Sequence, residues 1–130
     1  MINTFLMFDG NAEEAMKFYV SVFPNSKIVR LIHYKENEAG AEGSVMHAVL
    51  SLNGQEFIFI DSPVKSNFSF NPSMSLHVSC ATEVEIKELF HKLSQGGQIL
   101  MPLDSYGFSK KYCWFQDKYG VCWQLNYISS

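Results

Sequence analysis

The chain has 130 residues, 47% hydrophobic and 15% aromatic, with ten basic and thirteen acidic side chains and a formal net charge of −3. That is the composition of one compact soluble domain, large enough to bury a core without a metal or disulfides as staples. A single arginine, Arg30, and no stripe of basic residues exclude a nucleic-acid surface, and no apolar run approaches the roughly 20 residues of a bilayer span.

Thr4 to Phe8 read as a first strand, ending in the turn and cap cluster Asp9-Gly10-Asn11. The start has no positively charged n-region, so it reads as a strand and not as a signal peptide, and the expected location is the cytoplasm. Ala12 to Val22 show helical spacing through Ala15, Met16, Tyr19 and Phe23, and Pro24-Asn25-Ser26 stops that helix. Three strands follow over Lys27–Tyr34, Val45–Leu52 and Glu56–Asp61. The last two are joined through Asn53-Gly54, whose tolerance of positive φ suits a tight hairpin. The polar stretch from Lys35 to Ser44 is expected to be a mobile loop. Residues 62–73 carry two prolines, four serines and two asparagines and read as a linker.

The same element order then recurs. Met74–Cys80 is a strand, and Thr82–Leu93 a helix with Val84, Ile86, Leu89, Phe90 and Leu93 inward, stopped by Gly96-Gly97. Gln98–Met101, Lys111–Gln116 and Val121–Ile128 are the remaining strands, with a loop over Leu103–Lys110 and a hairpin turn at Asp117–Gly120. A shift of 70 lays Leu6 on Leu76, Phe8 on Val78, Met16 on Ile86, Tyr19 on Leu89 and Phe23 on Leu93. A shift of 66 lays Gly54 on Gly120, Phe57 on Trp123 and Phe59 on Leu125. The matched polarity points to a duplicated βαβββ unit within one domain: module one over 1–61, the linker, and module two over 74–130.

Strand parity sorts the side chains by face. Leu76 and Val78 suit a helix-covered side, leaving Ser75, His77 and Ser79 opposite; Met46, Ala48, Leu50 and Leu52 leave His47, Val49 and Ser51. Trp123, Leu125 and Tyr127 likewise separate from Cys122, Gln124 and Asn126. The second face, with His47, His77, Gln124 and Asn126 among Phe5, Met7, Ile58 and Ile60, has the mostly apolar lining and few polar groups of a small-molecule pocket. The other conspicuous residues read structurally. Cys80, Cys113 and Cys122 are buried reduced thiols, Glu13-Glu14 complement the helix dipole, and Asp61 caps a turn or faces the pocket, with capping favoured. His33 and His91 face solvent, Lys110-Lys111 belong to a solvated loop, and Trp114 and Trp123 are core or dimer contacts in preference to stacking platforms.

The run Phe5 to Ser26, with its F-x-G-N-A-E-E-A-x-x-F-Y pattern, and the closing D-x-x-G-V-x-W-Q of Asp117 to Gln124 resemble the PhnB-like branch of the vicinal oxygen chelate superfamily. That superfamily also holds glyoxalase, bleomycin-resistance proteins and extradiol dioxygenases, and the branch is often labelled with a 3-demethylubiquinone 3-methyltransferase domain name. The resemblance spans nearly the whole chain. It implies an α+β fold of two βαβββ modules whose curved mixed sheet forms a cup, usually completed in a homodimer, with strand exchange between subunits among the known arrangements.

In metal-using relatives four ligands, typically His, Glu or Gln, come from the first and last strands of each module. Carried onto this chain the positions are Thr4 or Phe5, Ile58, Ser75 and Gln124, and only Gln124 ligates strongly. The tetrad is therefore expected to be lost, and no metal or other cofactor is assigned. The resemblance also places Tyr106-Gly107 where the branch carries an aromatic-glycine pair over the pocket, as a lid or as packing under a loop. The resulting expectation is a binder of a small organic molecule, lined by His47, His77, Gln124 and Tyr106, with no catalytic residue assigned. The alternative is a divalent-metal isomerase, lyase or dioxygenase-type enzyme using His47 and His77 with Gln124 or Asp9. Methyl transfer is discounted, because no strand, glycine-rich loop and helix unit of the doubly wound kind is present.

Overall fold

The structure, a computed structural model, describes residues 1–65 and 67–128. It contains two compact units, Met1–Phe68 and Ser69–Ser130. Their boundary falls inside the stretch read as a linker, of which Ser66 lies outside the described residues. No helix among the described residues is long and apolar enough to cross a membrane.

The first unit comprises β1 (Thr4–Phe8), α1 (Ala12–Val22), β2 (Lys27–His33), β3 (Val45–Leu52) and β4 (Gln55–Asp61). Its sheet has the order β1-β4-β3-β2, parallel between β1 and β4 and antiparallel elsewhere. Alternation in β3 and β4 turns Ala48, Leu50, Leu52, Phe57 and Phe59 to one face, and all are buried. Onto that face α1 lays Ala12, Ala15, Met16 and Tyr19, each fully buried, with the Tyr19 ring edge-on to Phe59 at 6.0 Å. Apolar burial on this scale contributes roughly 1.5–3 kcal/mol per large side chain. Asn53 (φ 52) and Gly54 (φ 88) make the two left-handed residues that a tight β3–β4 hairpin requires.

Helix α1 has no cap of its own, since the Asn11 side chain makes no capping hydrogen bond. Asp61 supplies it from across the sheet. The parallel register sets Asp61 opposite Phe8, just before the helix, and there Oδ1 accepts from Gly10 N–H (2.8 Å) and Ala12 N–H (3.0 Å). Oδ2 accepts from Val45 N–H at 2.9 Å. Three backbone donors thus satisfy a carboxylate that is 1% exposed. Of the two roles open to Asp61 from sequence, it takes the capping one.

The second unit comprises β5 (Leu76–Cys80), α2 (Glu83–Leu93), β6 (Gln98–Tyr106), β7 (Ser109–Gln116) and β8 (Cys122–Tyr127), in the sheet order β5-β8-β7-β6 with β5 and β8 parallel. Here the helix is capped locally. Thr82 Oγ1 accepts from Glu85 N–H (3.1 Å), and Glu85 reaches back to Ala81 N–H (2.7 Å). Ile86, Leu89 and Leu93 are buried, and Phe90 meets Phe115 edge-on at 5.7 Å. Val84, expected inward, is 65% exposed, because two positions before Ile86 it falls off the i, i+3 stripe. Asp117 braces the last hairpin: Oδ1 accepts from Tyr119 and Val121 N–H, and Oδ2 accepts from the Trp123 indole at 2.8 Å.

Two sequence expectations need correction. The 103–110 segment is not a loop. Strand β6 continues to Tyr106 and β7 begins at Ser109, leaving Gly107-Phe108 as the hairpin tip. Pro102 lies within β6, an edge strand with register shifts between Ile99 and Tyr106, where a missing N–H is tolerated. The internal repeat also carries a different offset. With Phe57 matched to Trp123, the paired residues Thr4 and Leu76 become counterparts, a shift of 72 and not 70. The helix keeps its shift of 70, with buried Met16 on Ile86 and Tyr19 on Leu89, so the strand-to-helix link is shorter in the second unit. A slip of two residues preserves parity, which is why the assignment of faces survives it.

Candidate functional site

Each sheet has one helix-covered face and one open face. In the first unit the open face carries the row Phe5–Ile58–Val49–Arg30, with Met7 beside Ile60 and His47 beside Ile32 in the next. Phe5 is 54% exposed and His47 half-buried. In the second unit the register aligns His77–Gln124–Trp114–Met101, and next to it Ser79–Asn126–Tyr112–Asp104. His77 and Gln124 are therefore direct neighbours, as parity implied. His47 belongs to the first unit and lies on that unit's own open face.

The second open face is held by side-chain hydrogen bonds. Tyr112 Oη donates to Gln124 Oε1 at 2.8 Å, Trp114 Nε1–H donates to Ser75 Oγ at 3.2 Å, and Ser109 Oγ bonds the Asn126 amide. Burial pushes the Tyr112 phenol up from its ordinary value, with smaller contributions from Cys113 and Tyr106, so at neutral pH it is protonated and able to donate. Tyr106 stacks on Phe108 (5.9 Å, 12°) and stands edge-on to Tyr112 (5.7 Å), with its hydroxyl donating to Pro102 O at 2.8 Å. Tyr106 thus reaches Gln124 through Tyr112.

Sequence reasoning missed Tyr112. Its signal was available: Tyr112 and Trp114 are two apart in one strand and must share a face. Trp123 is a core residue at 2% exposure, whereas Trp114 is half-buried and on the open face. His33, expected in solvent, is about half-exposed and paired with Glu13, which also binds Lys17 at 2.9 Å. The His33 hydrogen bond, followed by the one from Lys17, holds the Glu13 carboxyl below its ordinary value.

All three cysteines are free and buried. Burial pushes the Cys80 and Cys113 thiols up to about 12 and raises Cys122 as well. At neutral pH the thiolate fraction of Cys80 and Cys113 is about a thousandfold below that of an ordinary thiol. Native protein is expected to resist iodoacetamide at pH 7.5 and to take up three equivalents only in denaturant, read by intact mass. The same shifts set an alkaline limit. Below about pH 9 the thiols are protonated in both states; above it the unfolded chain ionises first, so stability falls as pH rises from about 9 towards about 12. The midpoint of denaturation should drop through that window, and less so in Cys113→Ala.

Residues 1–126 match the family model described as 3-demethylubiquinone-9 3-methyltransferase. The chain belongs to this family. A PhnB protein from Bacillus cereus, described under the same methyltransferase name, is 61% identical over 97% of this chain and 98% of its own, with a TM-score of 0.94. Protein PA1353 from Pseudomonas aeruginosa is 23% identical over 100% and 98%, with a TM-score of 0.89. The fosfomycin resistance protein FosX from Listeria monocytogenes, 13% identical over 97% and 91% with a TM-score of 0.68, shares the fold. No curated protein matches the chain. The PhnB-like chain thus has the glyoxalase/bleomycin resistance/dioxygenase fold, with a four-stranded mixed sheet and one helix in each module.

The PhnB-like chain does not hold the four-ligand tetrad of metal-using relatives, because the first unit's two positions carry no donor. Of Thr4 and Phe5, Phe5 is the one on the open face, since Thr4 shares the helix side with Leu6 and Phe8. Phe5 and Ile58 have no donor atom, the Ser75 hydroxyl accepts from Trp114, and the Gln124 oxygen accepts from Tyr112; the register pairs His77 with Gln124 as it pairs Phe5 with Ile58, so the counterpart of Phe5 is His77 and not Ser75. Among the described residues, no group of three or more His, Cys, Asp and Glu could hold a metal ion.

Proposed function

We propose that this PhnB-like protein binds a small organic molecule with hydrogen-bond donors and aromatic surface where metal-using relatives place a cation. His77, Gln124 and Tyr106 line the second unit's open face, His47 lines the first unit's, and a second copy of the chain covers them in a homodimer. The observation that carries the reading is the Tyr112–Gln124 hydrogen bond. It ties one lone pair of the Gln124 oxygen to a donor and leaves an amide NH2 turned to the ligand. Methyl transfer, although it stands in the family's name, is not part of this reading. Each sheet has one parallel strand pair, without the doubly wound sheet that positions a nucleotide-type cofactor. Three free thiols suit a reducing, cytoplasmic setting.

The test is elemental analysis of protein purified without chelators, together with sedimentation. The expected result is no stoichiometric metal, a melting temperature unmoved by chelator or by added Mn, Zn or Ni, and a mass about twice 14.8 kDa. Stoichiometric metal that disappears in the His47→Ala, His77→Ala double variant would overturn this reading and establish a relocated metal site. A monomer would remove the second copy from it.

A further inference from the structure

Trp114 lies on β7 and Ser75 immediately precedes β5, and β8 runs between those two strands. Two strand spacings separate them, roughly 9.6 Å. The Trp114 Nε1–Ser75 Oγ hydrogen bond can close that gap only if the indole lies along the sheet surface across β8. By the register, Trp114 is level with Gln124, and Ser75, one residue before the Leu76–Trp123 pair, falls beside Cys122. The ring therefore crosses between those two residues. Cys122 is 2% exposed although parity puts it on the open face, as expected of a side chain beside a covering ring. The indole is pinned at both ends, one face on the sheet and the other turned away from it.

Beside it, the Tyr112 hydroxyl holds Gln124 Oε1, and among the described residues no acceptor takes Gln124 Nε2–H. Burial raises the Tyr112 pKa, so its hydroxyl stays protonated and able to donate to that oxygen. A flat apolar surface and an outward-facing donor thus stand in adjacent strands, at paired positions about 4.5–5.5 Å apart at Cα.

We propose that Trp114 and Gln124 select a planar conjugated ligand carrying an oxygen acceptor at its edge, with the ring on the indole and the oxygen on the Gln124 amide NH2. This rests on the small-molecule reading above and gives it a ligand class. Stacking supplies affinity that depends on flatness, because offset π-contact is lost with a puckered ring. The amide donor supplies selectivity, because an unmatched buried donor disfavours a ligand lacking the oxygen.

The two tryptophans make the proposal testable in the unmodified protein by the indole N–H resonances of 15N-labelled material. One indole donates to Ser75 and the other to Asp117, so Ser75→Ala moves the Trp114 signal alone and assigns both. The probes are 2-naphthoate, the neutral 2-acetylnaphthalene, and cyclohexanecarboxylate. Both naphthalene compounds are expected to shift the Trp114 indole and Gln124 amide signals saturably while leaving Trp123 in place. Cyclohexanecarboxylate should bind at least tenfold more weakly, and Gln124→Leu should weaken both naphthalene compounds at least tenfold. The charged and neutral probes together show whether the acceptor is a carboxylate or a carbonyl oxygen. Equal binding of the saturated acid at this face would overturn the selection of planar ligands and leave the small-molecule reading intact. Failure of every probe to move the Trp114 signal would overturn the present proposal, while the wider reading would still be decided by the metal assay.

Discussion

Asp61→Ala is expected to lower stability by about 3–5 kcal/mol, measured by chemical denaturation, the cost of stranding several buried donors at once. The carboxylate, at the end of β4, ties down two distant pieces of chain: Gly10 and Ala12 at the start of α1, and Val45 at the start of β3. Ala12 is fully buried, so its N–H has no water to turn to once the acceptor is removed. Asn11 does not share the role, since its side chain makes no capping contact. Asp61→Asn keeps one carbonyl oxygen and should recover about half the loss. Thr82→Ala, which removes the cap of α2, should cost only about 1 kcal/mol, since the groups it frees are exposed. Equal losses in Asp61→Ala and Thr82→Ala would show that the remote cap is no more than an ordinary helix cap.

Gly97→Ala should be nearly as damaging, at about 3 kcal/mol or more, and for a steric reason. A Cβ there would stand 2.0 Å from the backbone oxygen of Gln116 and 2.9 Å from the carbonyl carbon of Asp117. Neither can swing aside as a side chain would, so the β6–β7 pairing must open. The Asp117 carboxylate sits at that point, holding the turn and the Trp123 indole, so the shift would be felt in the core. Gly96→Ala is the control. Its φ of +76° carries a backbone penalty, but its Cβ would meet only the Lys118 side chain at 3.4 Å, and about 1–2 kcal/mol is expected. Denaturation midpoints should therefore fall in the order wild type, Gly96→Ala, Gly97→Ala; the reverse order would make conformation, and not space, the limiting factor. In the sequence the two glycines look like one helix stop, although only Gly96 has the left-handed backbone.

The candidate site was legible to the extent that it depends on parity. Alternation along β5 and β8 brought His77 and Gln124 to one face, and the register makes them neighbours. The duplicated order of elements was equally readable, because an error of two residues in the offset leaves every side chain on its proper side. Tyr106 was singled out, but its setting was not. The strand that carries it is interrupted by Pro102 and by shifts of register, and such irregular edges leave no periodic trace.

Composition, periodicity and turn residues, all local quantities, determined that this chain forms two βαβββ units with one polar-bearing face on each sheet. Only the tertiary structure decided what those polar groups do. Whether Asp61 caps a helix 49 residues away, and whether the Gln124 oxygen is free for a metal or tied to Tyr112, depends on which strands become neighbours. Strand order and register are set by burial summed over the whole sheet, and a hydrogen bond between side chains on different strands exists only once that sum has been settled.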